Sequence, residues 1–78
     1  MPTVLRIKGY RFFFFSNEMN EPLHIHVESA GKYAKFWLEP IALARNTGFR
    51  SFELIEIRNI VIKNKRTIKE RWNEYFTH

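Results

Sequence analysis

The sequence predicts an α+β fold, a four-stranded antiparallel meander with a short and a long C-terminal helix packed on one face of the sheet. Three observations predict it. Residues 3–39 hold β-rich runs separated by turn residues, two of those runs alternate polar and apolar side chains with period two, and apolar residues after position 50 recur at helical spacings. With 78 residues the chain is expected to form one domain, residues 1–78, whose core is modest in size.

The first two strands are read from "TVLRIKGYRFFFFSN", with the turn at Lys8-Gly9. "SNEMNEP" follows and is rich in turn formers, namely Ser16, Asn17, Asn20 and Pro22. "LHIHVES" is the third strand. Residues 30–32, "AGK", make the next turn, and "YAKFWLE" is the fourth strand. Pro40 then suits the first position of a short helix, "IALARN", which Gly48 ends and in which Arg45 and Asn46 stand at the helix end. Ser51 is placed to cap the longer helix, with Glu53 and Glu56 near its positive end. Leu54, Ile57, Val61, Ile68, Trp72, Tyr75 and Phe76 recur along one face of this helix. The β-branched run Ile60-Val61-Ile62 is poor helix material that could bend the helix or form a strand, but the helical pattern on both sides favours helix through it.

Alternation assigns the two faces of the sheet. Leu5, Ile7, Leu23, Ile25, Val27, Ala34, Phe36 and Leu38 form the core face. Arg6, Lys8, His24, His26, Glu28, Tyr33, Lys35, Trp37 and Glu39 form the other. Phe12 to Phe15 is apolar on both sides, so two of its rings fall on the second face in either register. The helix is expected to add Leu54, Ile57, Val61, Ile68 and Trp72 to the core.

Composition narrows the function classes. The chain lacks cysteine, which removes disulfides and thiolate zinc sites. It has no apolar run of the roughly 18 residues that spans a bilayer, and its start lacks the layout of a signal peptide, so a cytoplasmic protein without a membrane partner is expected. Its 13 basic against 8 acidic residues give a net charge of +5, and most of the excess lies in residues 40–78. Such a balance serves solubility or an anionic partner. Lys63, Lys65, Arg66, Lys69 and Arg71 read as a solvated helix face, with cations toward the negative end of the dipole.

The second sheet face carries the chemistry. Cations neutralise phosphates and aromatic rings stack on unpaired bases, which makes Arg6, Lys8, Lys35, Trp37 and Arg45 candidate nucleic-acid contacts. The same mixture also serves a protein interface or a homodimer. His24 and His26 project side by side from one strand, about 7 Å apart at Cα, with Glu28 next on that face. Imidazole near its neutral-pH titration suits general acid–base work, as in metal-independent RNA cleavage. Two imidazoles and a carboxylate also suit a divalent metal, although three ligands on one strand are too linear and would need a fourth such as His78. Phosphate contact and plain hydrogen-bonded packing fit the pair too. No metal or cofactor is expected.

The order and spacing of "PTVLRIKGYRFFFFSNE", "NEPLHIHVE", "AKFWLEPIALARNTGF" and "RWNEYF" cover nearly the whole chain. In these blocks it resembles a small bacterial family labelled a domain of unknown function, whose members resemble DhiT-type toxins of type II toxin–antitoxin pairs. The resemblance implies a cytoplasmic toxin neutralised by a cognate antitoxin protein. The family's His-x-His block matches His24 and His26, preceded by Glu21 and Pro22; Leu23 stands where relatives often carry a second proline. With the basic, aromatic face, the expected function is a toxin acting on RNA. The alternative is a non-enzymatic binding or regulatory module that uses the same face for protein contact.

Overall fold

The computed structural model describes residues 3–15 and 20–76. Five strands, β1 (Thr3–Ile7), β2 (Tyr10–Phe13), β3 (His24–Ser29), β4 (Lys32–Leu38) and β5 (Ile41–Thr47), precede two helices, α1 (Ser51–Lys63) and α2 (Lys65–Phe76). The strands lie in sequence order and every neighbouring pair is antiparallel, so the expected meander is present with one strand more than the four anticipated. The turn anticipated at Ser16 and Asn17 lies outside the described residues.

Local chemistry sets the hairpins. Lys8-Gly9 and Ala30-Gly31 are the two central residues of their turns, and all four have positive φ, between 48° and 81°. This conformation matches the twist of the flanking strands, and glycine takes it at no steric cost. The closing pairs are Ile7 with Tyr10 and Ser29 with Lys32.

Residues 41–47 correct the sequence reading. Pro40 opens no helix; Glu39 and Pro40, joined by a cis peptide bond, link Leu38 to its partner Ile41, and "IALARN" runs back along β4. Alanine, leucine and arginine favour helix, but a seven-residue helix gains few internal bonds against its nucleation cost. Pairing with β4 supplies a full ladder instead. A bulge at Ala44 shifts the register between the Lys35–Arg45 and Phe36–Leu43 pairs. The long helix is also corrected. The β-branched run stays helical, and the break falls at Asn64, whose side-chain amide donates to the Ile60 carbonyl at 2.8 Å. Side-chain competition for a backbone carbonyl is a recognised cause of helix bending. Arg50, not Ser51, occupies the cap of α1; the Glu53 carboxylate accepts its backbone N–H at 2.9 Å.

The helices cover one sheet face. Phe12, Phe14, Ile25, Val27, Phe36 and Leu38 pack against Ile57, Val61 and Ile68, all at most 1% exposed, with Leu54 and Trp72 half-buried against them. Each large apolar side chain buried this way contributes roughly 1.5–3 kcal/mol. The expected core face and helix phase are therefore both present. The hairpin turns then pin α1. Tyr10 donates its hydroxyl to Glu56 at 2.8 Å, Lys8 adds an ion pair at 3.4 Å, and Lys32 pairs with Glu53 at 2.7 Å. Burial, then the Glu56 carboxylate, pushes the Tyr10 hydroxyl up to about 12. The same bond from Tyr10, with help from Lys8, holds Glu56 below the usual carboxylate range.

Candidate functional site

The ladder places the polar face in rows. Arg6, Arg11, Glu28, Tyr33 and Thr47 lie in one cross-strand row, Phe13, His26, Lys35 and Arg45 in the next, and His24, Trp37 and Ala42 in the third. Phe12 and Phe14 take the core side, so Phe13 and Phe15 are the two rings of the second face.

Both histidines of this face are buried. His24 is 0% and His26 2% exposed. Phe13 stacks on His26 at 5.5 Å between ring centres, Phe15 tilts against it at 4.4 Å, and Tyr33 stacks at 5.8 Å. His24 meets Trp37 at 5.6 Å, Trp72 of α2 at 5.1 Å and the His26 ring, edge-on, at 4.9 Å. Each ring also has a polar anchor. His24 Nδ1 donates to the Pro22 carbonyl at 2.8 Å, which requires the proton on Nδ1. His26 Nδ1 and the Tyr33 hydroxyl share a 2.6 Å hydrogen bond. Buried polar groups persist when they are paired in this way.

Around this buried pair the face is cationic. Arg11 donates to Glu28 at 3.0 Å and to Thr3 at 2.9 Å, with its guanidinium 4.5 Å above the Phe13 ring. Lys35 pairs with Glu21 and lies 4.5 Å over the Trp37 ring. Arg6 is exposed directly opposite Arg11, and Arg45 is exposed beside Lys35. An open pocket of about 480 Å³ lies between the two hairpin turns, lined by Arg6, Arg11, Glu28, Lys32 and Tyr33 among others.

Of the sequence-predicted residues, the fold gathers His24, His26, Lys35 and Trp37, with Arg6 and Arg45 at the rim. Glu28 is spoken for by Arg11, one row away from His26. Lys8 leaves the face altogether, because its positive φ takes it out of strand alternation and its ammonium reaches Glu56 of α1. The sequence pattern does not place Arg11, and although it puts Tyr33 and two of the Phe12–Phe15 rings on this face, it singles out neither Tyr33 nor Phe13 and Phe15 as site residues. The registers of β2 and the two hairpins identify them, and the Arg11–Glu28 charge pair is the signal that could have fixed that register. Among the described residues no three of His, Asp and Glu come together as a metal ligand set, and His78 lies outside those residues.

The fold and this face define an α+β domain built on an antiparallel meander, with one face closed by helices and the other bearing cations around buried rings. The chain belongs to the family described as a domain of unknown function, DUF4160, whose model matches residues 9–73. No curated protein and no solved structure matches it. No described helix is long and apolar enough to cross a membrane.

Proposed function

We propose that the protein is the toxin of a type II toxin–antitoxin pair and binds RNA through the cationic rim of its second sheet face. The observation that carries this reading is the Arg6–Arg11 pair. Two cations stand directly opposite on adjacent strands; Glu28 offsets Arg11, and the exposed Arg6 leaves a positive charge there that a phosphate can neutralise. Lys35 over Trp37 adds a cation and a stacking surface nearby. His24 and His26 support this face from beneath; acid–base work on RNA by either ring requires RNA to reach past Phe13, Phe15 and Trp72. The chain is then a binding toxin whose RNA contacts, rather than its imidazoles, make first contact with the target.

Expression of the wild type should arrest growth, and the Arg6→Ala, Arg11→Ala double variant should not. Purified protein should bind single-stranded RNA with an affinity that falls as salt rises, and Trp37→Ala should cost roughly 1–3 kcal/mol with little change in salt slope. RNA affinity that is flat in salt, or unchanged in the double arginine variant, overturns the reading. A second reading, a protein-binding module, is favoured by a different surface from the sheet face first expected to serve it: α1 is apolar on its outward side.

A further inference from the structure

A helix that packs on a sheet needs one apolar face, and one that is apolar on both faces is normally buried on both. The inward face of α1 is complete with Ile57, Ile60 and Val61. Its outward positions nevertheless carry Phe52, Ile55 and Ile62, which are 67%, 62% and 45% exposed. Together with Asn59 they lie at i, i+3, i+7 and i+10, a single stripe along the helix. Beside the stripe runs an open groove of about 680 Å³ between α1 and the end of β1, lined by Ile7, Phe52, Ile55, Asn59 and Lys63 among others.

The charges beside the stripe select its occupant. Lys63 stands on the groove side, where Lys8 is already paired with Glu56, and helical geometry places Arg58 on the opposite flank. Among the described residues no carboxylate pairs with Arg58 or Lys63. Glu56, the carboxylate beside the groove, is already held by Tyr10 and Lys8. We infer that the outward face of α1 and the groove beside it form a docking surface for a separate protein that presents an amphipathic helix with an apolar ridge flanked by carboxylates.

Two other occupants fit less well. A second copy packed antiparallel on α1 would set the Arg58 flank against its own equivalent, in a protein of net charge +5. An anionic bilayer would match the cations, but it offers no ridge to fill a concave groove, and Asn59 would sit in the middle of the inserting stripe. The docking surface is separate from the RNA-binding rim and does not depend on the RNA reading.

The test uses the full chain and two synthetic amphipathic helical peptides of roughly 18 residues, long enough to hold helix, with the same leucine ridge but flanked by Glu in one and Lys in the other. The Glu-flanked peptide should bind, at least about tenfold more tightly than the Lys-flanked one, and should lose about tenfold on Phe52→Glu with Ile55→Glu. Its amide perturbations should map to α1. Arg58→Glu with Lys63→Glu should reverse the preference between peptides. All four positions are exposed, and circular dichroism confirms that each variant folds. The inference is overturned if neither peptide binds, if flank charge makes no difference, or if binding survives the Phe52 and Ile55 changes. It is equally overturned if sedimentation shows a dimer that Phe52→Glu dissociates, or if vesicles of phosphatidylcholine and phosphatidylserine bind through Phe52.

Discussion

Ile25 and Val27 on one side of β3, and His24 and His26 on the other, are buried alike, at no more than 2% exposure. What covers them differs. The aliphatic pair lies under helix side chains that need only fill space. The imidazoles lie among Phe13, Phe15, Trp37 and Trp72, and each spends a ring nitrogen on an oxygen, the Pro22 carbonyl or the Tyr33 hydroxyl. Equal burial thus comes from shape on one side and from shape plus paired polarity on the other. The first side tolerates exchange of similar volumes; the second depends on particular atoms.

The largest expected effect is on the aliphatic side. Ile57→Ala leaves a cavity beneath α1 and should destabilise the fold by about 2–5 kcal/mol in a denaturant titration. A loss under about 1 kcal/mol would mean that this side is as loosely filled as a surface, and the contrast with the histidine side would disappear.

That side was also the part of the molecule most legible in the sequence. Period-two alternation in β3 and β4 identified the core face, and the spacing of Leu54, Ile57, Val61 and Ile68 identified the helix phase, because both signals come directly from burial. Ile41–Thr47 was not legible. Its residues favour helix, Pro40 suits a helix start as well as a turn, and what decides the matter is pairing with β4, which is remote information for a local pattern. The break at Asn64 was not legible either, since its bond to the Ile60 carbonyl leaves no periodic trace. On the second face, the sequence showed which side chains share a surface but not that rings would close over two of them. Alternation reports direction, and exposure depends on what arrives from β2 and α2.

The next effect sharpens the polar side. Tyr33→Phe keeps the stacked ring and removes only the hydroxyl that His26 Nδ1 shares at 2.6 Å. Loss of a bond to a buried polar group costs about 1–3 kcal/mol, so the variant should melt at a lower temperature with an unchanged fold. If Tyr33→Phe is neutral, the polarity of the pair is incidental, and His24 and His26 pack as plain rings.

A smaller effect concerns the contacts that hold α1 to the sheet. The backbone N–H of Arg50, then the Lys32 ammonium, hold the Glu53 carboxyl below its ordinary value of 4.5. A carboxyl whose pKa is lower in the folded state contributes stability above its unfolded pKa and loses it as pH falls through the folded one. Glu53→Gln should therefore be less stable than wild type at neutral pH, and the gap should narrow as pH drops below about 4.5. Thermal melts across that range read it directly; a gap constant with pH would show that the cap and the Lys32 pair act through packing rather than charge.

The smallest stability effect separates what holds the histidine face from what that face binds. Lys35 lies between the two properties, since it pairs with Glu21, covers Trp37 and stands in the same cross-strand row as His26. Its pair is partly solvent-exposed at Glu21, and such pairs contribute under about 1 kcal/mol, so Lys35→Ala should barely move the melting temperature. If the rim neutralises RNA phosphates, the same substitution should lower the slope of log affinity against log salt by about one unit, because one fewer counterion is released. A stable variant with a reduced slope places Lys35 at the binding surface above a scaffold it does not hold together. An unchanged slope with lowered stability reverses the assignment: Lys35 then belongs with Tyr33 as support for the buried rings, and the phosphate contacts reduce to Arg6, Arg11 and Arg45.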